Sequence, residues 1–389
     1  MTEATTPKRR RPRGEGSIYV DASGRARGAI IVIDPDTGKK VRRVVSGRNR
    51  TEVREKLAKL RNDLAAGVGV EAGGPKSLAA YVATWLEALR SRVRPSTWIA
   101  HERYIRLYVL PAIGAVPLVQ LTPTSVERMT AGMIRRGLSP TTARGARTTL
   151  RLILRDAERD GLVARNSAAL ARPPRIERHE LRVLSAEETR RLIDGTAGDE
   201  LGPLFAVAAT TGLRLGEVLG LRRQDLELSG PAPSLAVRRS LARAETGYAL
   251  AEPKTPRSRR TLELPPAAVA ALRRQTINQA ELRLAAGDLW QDKDRLVFTD
   301  QLGRSLLPSN VSHAFSDALL RLGLPHVRFH DLRHGVASLL LAQGVPLKVV
   351  SEQLGHAGIQ VTADVYAHLS REQRREAADA IERAIGGAP

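Results

Sequence analysis

The chain has 389 residues, 42% of them hydrophobic, and carries 62 Lys and Arg against 41 Asp and Glu, a net charge of +21. That length suggests two or three domains with real cores, and no run of about 18 apolar residues is present that would predict a membrane span. With no cysteine, disulfides, thiol catalysis and cysteine metal sites are excluded, and a reducing cytoplasm is the expected compartment.

The basic balance, with a sequence pI of 11.1, favours a polyanionic partner, nucleic acid above all. The N-terminus "MTEATTPKRRRPRG" is basic but has no apolar segment, so a secretory signal is not expected. The basic residues are 53 arginines and only nine lysines. Between Lys76 and Lys293 the only lysine is Lys254.

Residues 16 to 46 read as three short strands, "GSIYV", "RARGAIIVI" and "KKVRRVVSG", separated by Asp, Pro and Gly turns. A helix follows, with Val53, Leu57, Leu60 and Leu64 on one face. A small sheet plus one helix, led by "KRRRPR", reads as a DNA-binding module over residues 1–70. "GVGVEAGGPK" is a linker. Residues 76–172 are helical throughout, opening at Ser77 as N-cap, with Pro95 at one helix start and Pro111 at that helix's end. Arg144, Arg147, Arg151 and Arg155 recur at helical spacing; with Leu150, Ile153 and Leu154 buried, the arginine row would be free for phosphates. A second Pro- and Arg-rich linker leads to a mixed segment, residues 180–389, with strands near Ser234–Leu241 and Thr261–Leu264. The fold class expected is multidomain, mainly α with small β elements.

Four motifs in the last segment carry chemistry. In "TGLRLGEVLGLRRQDLEL", Gly212 ends one helix and another begins near Arg214, which Glu217 can hold at i+3; an anchored arginine makes a preorganised anion site. In "AEPKTPRSRRTLELP", Lys254 lies in a connection between two strands, and a lysine, unlike an arginine, can give up its proton. In "HVRFHDLRHGVASLLLAQG", Leu332, Val336, Leu339 and Leu340 form the buried stripe of a helix, with His330, Arg333 and His334 on the other side. The spacing of His326, His330 and His334 raises a metal site; Arg328 and Arg333 beside them would repel a cation, so no metal is expected. In "VPLKVVSEQLGHAGIQVTADVYAHL", a helix from about Pro346 stops at Gly355, His356 hangs at its end, and the next helix, capped by Thr362, carries Tyr366.

Two arginines can clamp the non-bridging oxygens of a phosphate. A tyrosine hydroxyl can form a covalent ester with it, a lysine can protonate the departing oxygen, and histidines can move protons. A phosphotyrosine keeps the energy of the broken bond, so rejoining needs neither ATP nor a cofactor.

The ordered series "TGLR", "PKT", "HDLRH", "LGH" and "VYAH" resembles the tyrosine recombinase (phage integrase) family over residues 184 to 369. Residues 76–172 resemble its helical SAM-like core-binding domain, and residues 1–70 resemble the arm-binding domain of the larger integrases, although "RARGAIIVI" lacks the aromatic residue common in that second strand. The resemblance implies Tyr366 as nucleophile, Arg214 and Arg333 as phosphate clamp, Lys254 as general acid, His330 as proton-transfer residue and His356 as a further phosphate donor, with His334 structural. It implies cleavage of duplex attachment sites to a 3′-phosphotyrosyl bond and a free 5′-hydroxyl, then strand exchange in a homotetramer on synapsed DNA. An excisionase and a DNA-bending protein are the accessory partners implied, and a bacterial cytoplasmic, nucleoid-associated location. The tail beyond Leu369, with Ala377, Ile381, Ala384 and Ile385 on one side, packs either on its own domain or on a neighbouring protomer. The rival readings are a type IB topoisomerase and a catalytically silent DNA-binding regulator.

Overall fold

The computed structural model describes residues 17–22, 24–33, 40–65, 76–176, 182–252 and 258–355. Among the sequence expectations, Lys254, His356, Tyr366, the first linker up to residue 75, residues 177–181 of the second and the C-terminal tail lie outside these residues. The chain divides into two compact units, Met1–Arg178 and His179–Pro389.

The first unit opens with three antiparallel strands, β1 (Ser17–Val20), β2 (Ala26–Ile33) and β3 (Lys40–Gly47), followed by helix α1 (Arg50–Ala65). Val53 and Leu57 of α1 pack beneath Ala26 and Ile30, forming a small core. Gly28 permits this approach, because a Cβ there would sit 2.6 Å from Leu57 Cδ1. Alternation along the strands leaves Tyr19, Arg27, Ile31, Arg42 and Val44 on the opposite, exposed face.

A separate core gathers the helices of residues 76–176: α2 (Leu78–Arg90), α3 (Pro95–Tyr104), α4 (Leu110–Ile113), α5 (Pro123–Arg135), α6 (Pro140–Arg159) and α7 (Ser167–Leu170). Ser77 is the N-cap of α2, accepting from the Ala80 amide at 3.2 Å. Pro95 opens α3, but Pro111 does not end that helix. A π-helical turn, Ile105–Val109, carries the chain into α4, with the Leu110 amide bonded back to the Ile105 carbonyl. Widening the helix by one residue accommodates a proline that has no N–H to donate.

Leu150, Ile153 and Leu154 are buried in α6 as the spacing predicts, but the arginine row is not left free. Arg147 is only 9% exposed and donates to the carbonyls of Ala169 (3.2 Å) and Ala171, while Arg144 donates to the Pro174 carbonyl at 3.2 Å. Helix α7 ends beside α6 with carbonyls that lack intrahelical donors; Arg147 satisfies those of Ala169 and Ala171, while Arg144 reaches the segment that follows the helix. Arg151 and Arg155 remain exposed.

The second unit contains α8 (Ala186–Gly195), α9 (Gly202–Thr211), α10 (Leu215–Leu219), β4 (Leu226–Glu227), β5 (Ser234–Val237), β6 (Ser240–Arg243), β7 (Tyr248–Ala251), β8 (Arg260–Glu263), α11 (Pro266–Ala286), α12 (Pro308–Arg321), α13 (Asp331–Ala342) and α14 (Leu347–Leu354). Strands β4, β5 and β8 form one antiparallel sheet, and β6 pairs with β7 in another. Helix α9 is apolar on all sides and buried along almost its whole length; the remaining core assembles around it, with Phe205, Phe315 and Phe329 ring to ring at 5.4 to 6.4 Å. Helices α13 and α14 share a smaller cluster of Val336, Ala337, Leu341, Val350 and Leu354. The mainly helical, multidomain class with small sheets is as the sequence predicts; β7 is a strand the sequence reading did not anticipate.

Candidate active site

The site is built on two helix ends. Helix α9 stops at Gly212, whose backbone is left-handed (φ 66°), and α14 stops at Gly355 in the same conformation (φ 66°). The two stops are packed together: a Cβ on Gly212 would sit 2.5 Å from Leu354 Cδ2. Each glycine presents its carbonyl to an arginine. Arg333 Nη1 donates to Gly212 O at 3.0 Å, and Arg214 Nη2 donates to Gly355 O at 3.1 Å.

Arg214 is the N-cap of α10, and Glu217 closes that turn. The carboxylate accepts from the Arg214 amide (3.0 Å) and from Arg214 Nη1 (2.7 Å). Arg260, on β8, donates to the same carboxylate from Nη2 (3.0 Å) and Nη1 (3.3 Å). Burial of Glu217 pushes its carboxyl up, but the hydrogen bonds and charges of Arg260 and Arg214 outweigh this and hold it below the ordinary carboxylate range. Arg214 keeps a partly exposed side chain, while Glu217 and Arg260 are enclosed.

The periodicity of α13 places Arg333 away from the apolar stripe, yet it is only 2% exposed. Its side chain turns inward under the α9 stop. Burial, together with the charge of Arg214, pulls the guanidinium down to about 9, so it remains cationic at neutral pH. His330 stands at the N-cap position of α13 without a side-chain capping bond and is exposed, with its ring edge-on to His334 at 5.3 Å. Burial lowers the His330 pKa, and His334 and Arg333 lower it further; burial also lowers that of His334. Arg328 is engaged with Asp331 in the first turn of α13, donating to its carboxylate from the amide (2.9 Å), Nε (3.0 Å) and Nη2 (2.8 Å). His326 is exposed at the surface.

The structure thus brings Arg214, Arg333 and His330 to one place. Lys254 belongs to the connection between β7 and β8, and His356 follows directly on Gly355. A cleft of about 710 Å³ opens beside β8, lined in part by Arg222, Arg238, Arg239, Arg259 and Arg260. Arg260 is the participant that sequence reading missed. Its signal was present: it falls on the same strand face as Leu262, which is 1% exposed, so a charge stands at a core-facing position.

The chain as a whole has known relatives. The phage integrase family model matches residues 175–373, just over half of the chain, and the phage integrase N-terminal SAM-like domain matches residues 77–133. A XerC-like tyrosine recombinase of Caldanaerobacter subterraneus subsp. tengcongensis is 29% identical, covering 89% of this chain and 93% of the relative. An integrase of Streptomyces ambofaciens is 29% identical over 92% of this chain and 93% of its own. In fold, the chain is similar to the Tn1549 transposon integrase solved with transposon right end DNA (TM-score 0.66, 20% identity, 80% of this chain and 100% of that one). It is also similar to lambda integrase, solved as a dimer bound to a COC′ core site (TM-score 0.57, 19% identity, 94% and 98%). The chain belongs to the phage integrase family and is a tyrosine-type site-specific DNA recombinase.

Proposed function

We propose that this recombinase cleaves and rejoins duplex attachment sites through Tyr366, without metal or ATP, to integrate a mobile element or prophage. The observation that carries the reading is the convergence of Arg214 and Arg333 on paired helix stops, with His330 beside them. Two cations held in this way suit the non-bridging oxygens of one phosphodiester, and their charge is preorganised before DNA arrives. His330, with its pKa lowered, is neutral near pH 7 and can take the Tyr366 proton. The phenolate oxygen attacks phosphorus, and the bond from phosphorus to O5′ breaks. Lys254 delivers a proton to the departing O5′, leaving a 3′-phosphotyrosyl bond and a 5′-hydroxyl. His356, placed directly after the carbonyl that Arg214 holds, donates to a non-bridging oxygen. Rejoining reverses these steps with a 5′-hydroxyl from the partner duplex.

Three domains share the work in this reading: residues 1–70 bind arm-type DNA, 76–172 bind the core site, and 180–389 perform the chemistry. The exposed face of the N-terminal sheet, with Arg27 and Arg42 among apolar neighbours, suits a major groove, which admits a β-ribbon. Lambda integrase has been solved as a tetramer bound to a Holliday junction; a homotetramer on two synapsed sites is the assembly proposed here. A bending protein and an excisionase complete the set of partners.

The test uses a nicked suicide duplex carrying the attachment site, in which the short 5′-hydroxyl product diffuses away. Wild-type protein is expected to accumulate a covalent adduct that survives denaturation, and Tyr366→Phe to bind the duplex and form none. An adduct with Tyr366→Phe would overturn the nucleophile assignment. Relaxation of supercoiled plasmid without any product from paired sites would instead indicate a topoisomerase.

A further inference from the structure

We propose that Arg260 is a positioning residue of this site: it holds Glu217 as a buried anion, ties it to the end of α14, and so fixes where Arg214 points. The inference rests on the recombinase reading above and concerns a residue whose hydrogen bonds go to Glu217, Gln353 and Ser258.

Arg260 is 7% exposed at its side chain and uses its fork in two directions. Nη1 and Nη2 reach the two oxygens of Glu217, while Nε donates to the carbonyl of Gln353 at 2.8 Å, 93 residues away. Nη1 also reaches the Ser258 carbonyl of its own segment at 3.1 Å. Only a planar guanidinium can serve acceptors on opposite sides with fixed geometry; an ammonium on a flexible stem cannot. The room for it comes from Gly355, where a Cβ would lie 2.8 Å from Arg260 Nη1.

The charge relation matters as much as the geometry. With Arg214 as its single partner, the Glu217 carboxylate would cancel the charge meant for a phosphate. With Arg260 on the other side, the three groups carry a net single positive charge, and Arg214 keeps its attraction for an anion. Arg260 also contacts the ends of two segments that carry candidate catalytic groups. Ser258 follows the connection bearing Lys254, and Gln353 lies just ahead of His356.

The experiment compares full-length wild type, Arg260→Gln and Arg260→Lys on the suicide duplex. One version has a normal scissile phosphodiester, and the other a methylphosphonate there, which lacks the charged oxygen that the arginines bind. Arg260→Gln is expected to bind the duplex with wild-type affinity and to form adduct about 100-fold more slowly on the phosphodiester, the scale of a misplaced catalytic contact. On the methylphosphonate, where the clamp has less to do, most of that deficit should vanish. A general folding defect would slow both substrates alike, so an equal deficit on both, or none on either, overturns the proposal. Should Arg260→Gln lack a cooperative unfolding transition, Arg260→Lys is read in its place. It is expected to show a smaller deficit with the same substrate dependence, and wild-type rates on both substrates would overturn the need for the fork. If the wild type itself forms no adduct, the recombinase reading fails, and this inference falls with it.

Discussion

Arg214 donates to the carbonyl of Gly355, 141 residues further along the chain, at 3.1 Å. The first arginine of the proposed clamp therefore also anchors the backbone from which His356 departs. Lysine at position 214 would keep the charge and lose the second donor direction. Arg214→Lys is expected to cut single-turnover adduct formation by about 10²- to 10³-fold, the cost of removing one preorganised donor at an oxyanion. Affinity for the duplex should stay within a few-fold by electrophoretic shift.

The two left-handed stops give a stability prediction with an internal control. Gly212→Ala would force a φ of 66° on alanine and bring its Cβ to 2.5 Å from Leu354. A loss of about 1–3 kcal/mol is expected from the backbone conformation alone, with more from the displaced leucine. Gly344 has a φ of 75° and nothing within 4 Å of an added Cβ. Urea unfolding should show Gly344→Ala losing less than Gly212→Ala.

Acid should destabilise the protein before carboxylates titrate. His101, His330 and His334 all have pKa values lowered from 6.5, with burial as the largest cause. The unfolded chain then binds more protons than the native one below about 6.5, so stability rises with pH in that window and is lost as pH falls through the folded values. Melting temperature is expected to drop between pH 7 and pH 5. His101→Gln should flatten part of that slope, since it retains a polar partner for Thr149, which now meets His101 Nδ1 at 3.0 Å. Adduct formation should fall with acid as well, once His330 is protonated and can no longer accept from Tyr366.

Asp156 is the polar anchor of the helices of residues 76–176. It is 4% exposed, accepts from Trp85 Nε1 at 2.9 Å, and has Arg155, Arg159 and Arg92 within 3.4 to 3.8 Å. Asp156→Ala leaves the indole N–H buried without its acceptor, which costs about 1–3 kcal/mol. Chemical denaturation should show that loss, and Asp156→Asn, which keeps an acceptor oxygen, should recover a good part of it.

Much of this was legible in order along the chain. Gly212 and Gly355 could be recognised as helix stops, Ser77 as a cap, and Pro95 as a first-turn residue, because each acts on backbone within a few residues of itself. The arginine row of α6 misled, since periodicity says which residues share a face and not what lies opposite that face. In the fold, Arg147 meets the carbonyls that end α7, and Arg144 meets the Pro174 carbonyl just beyond them. Arg333 misled in the same way: its spacing placed it opposite the apolar stripe, whereas its guanidinium is enclosed under the end of α9.

By itself the sequence determined the local chemistry: an arginine capped by a glutamate three residues on, a rare lysine in a strand connection, a histidine and an arginine one turn apart, and a tyrosine within an ordered series of motifs. Hydrogen-bond partners a few residues apart and hydrophobic periods need nothing more than chain geometry. Only the tertiary structure decided that Gly212 and Gly355 end their helices side by side, that each hands a carbonyl to an arginine, and that Arg260 completes the anchoring of Glu217. Those contacts span from 43 to 141 residues, and their energies depend on burial and on neighbours that no local pattern encodes.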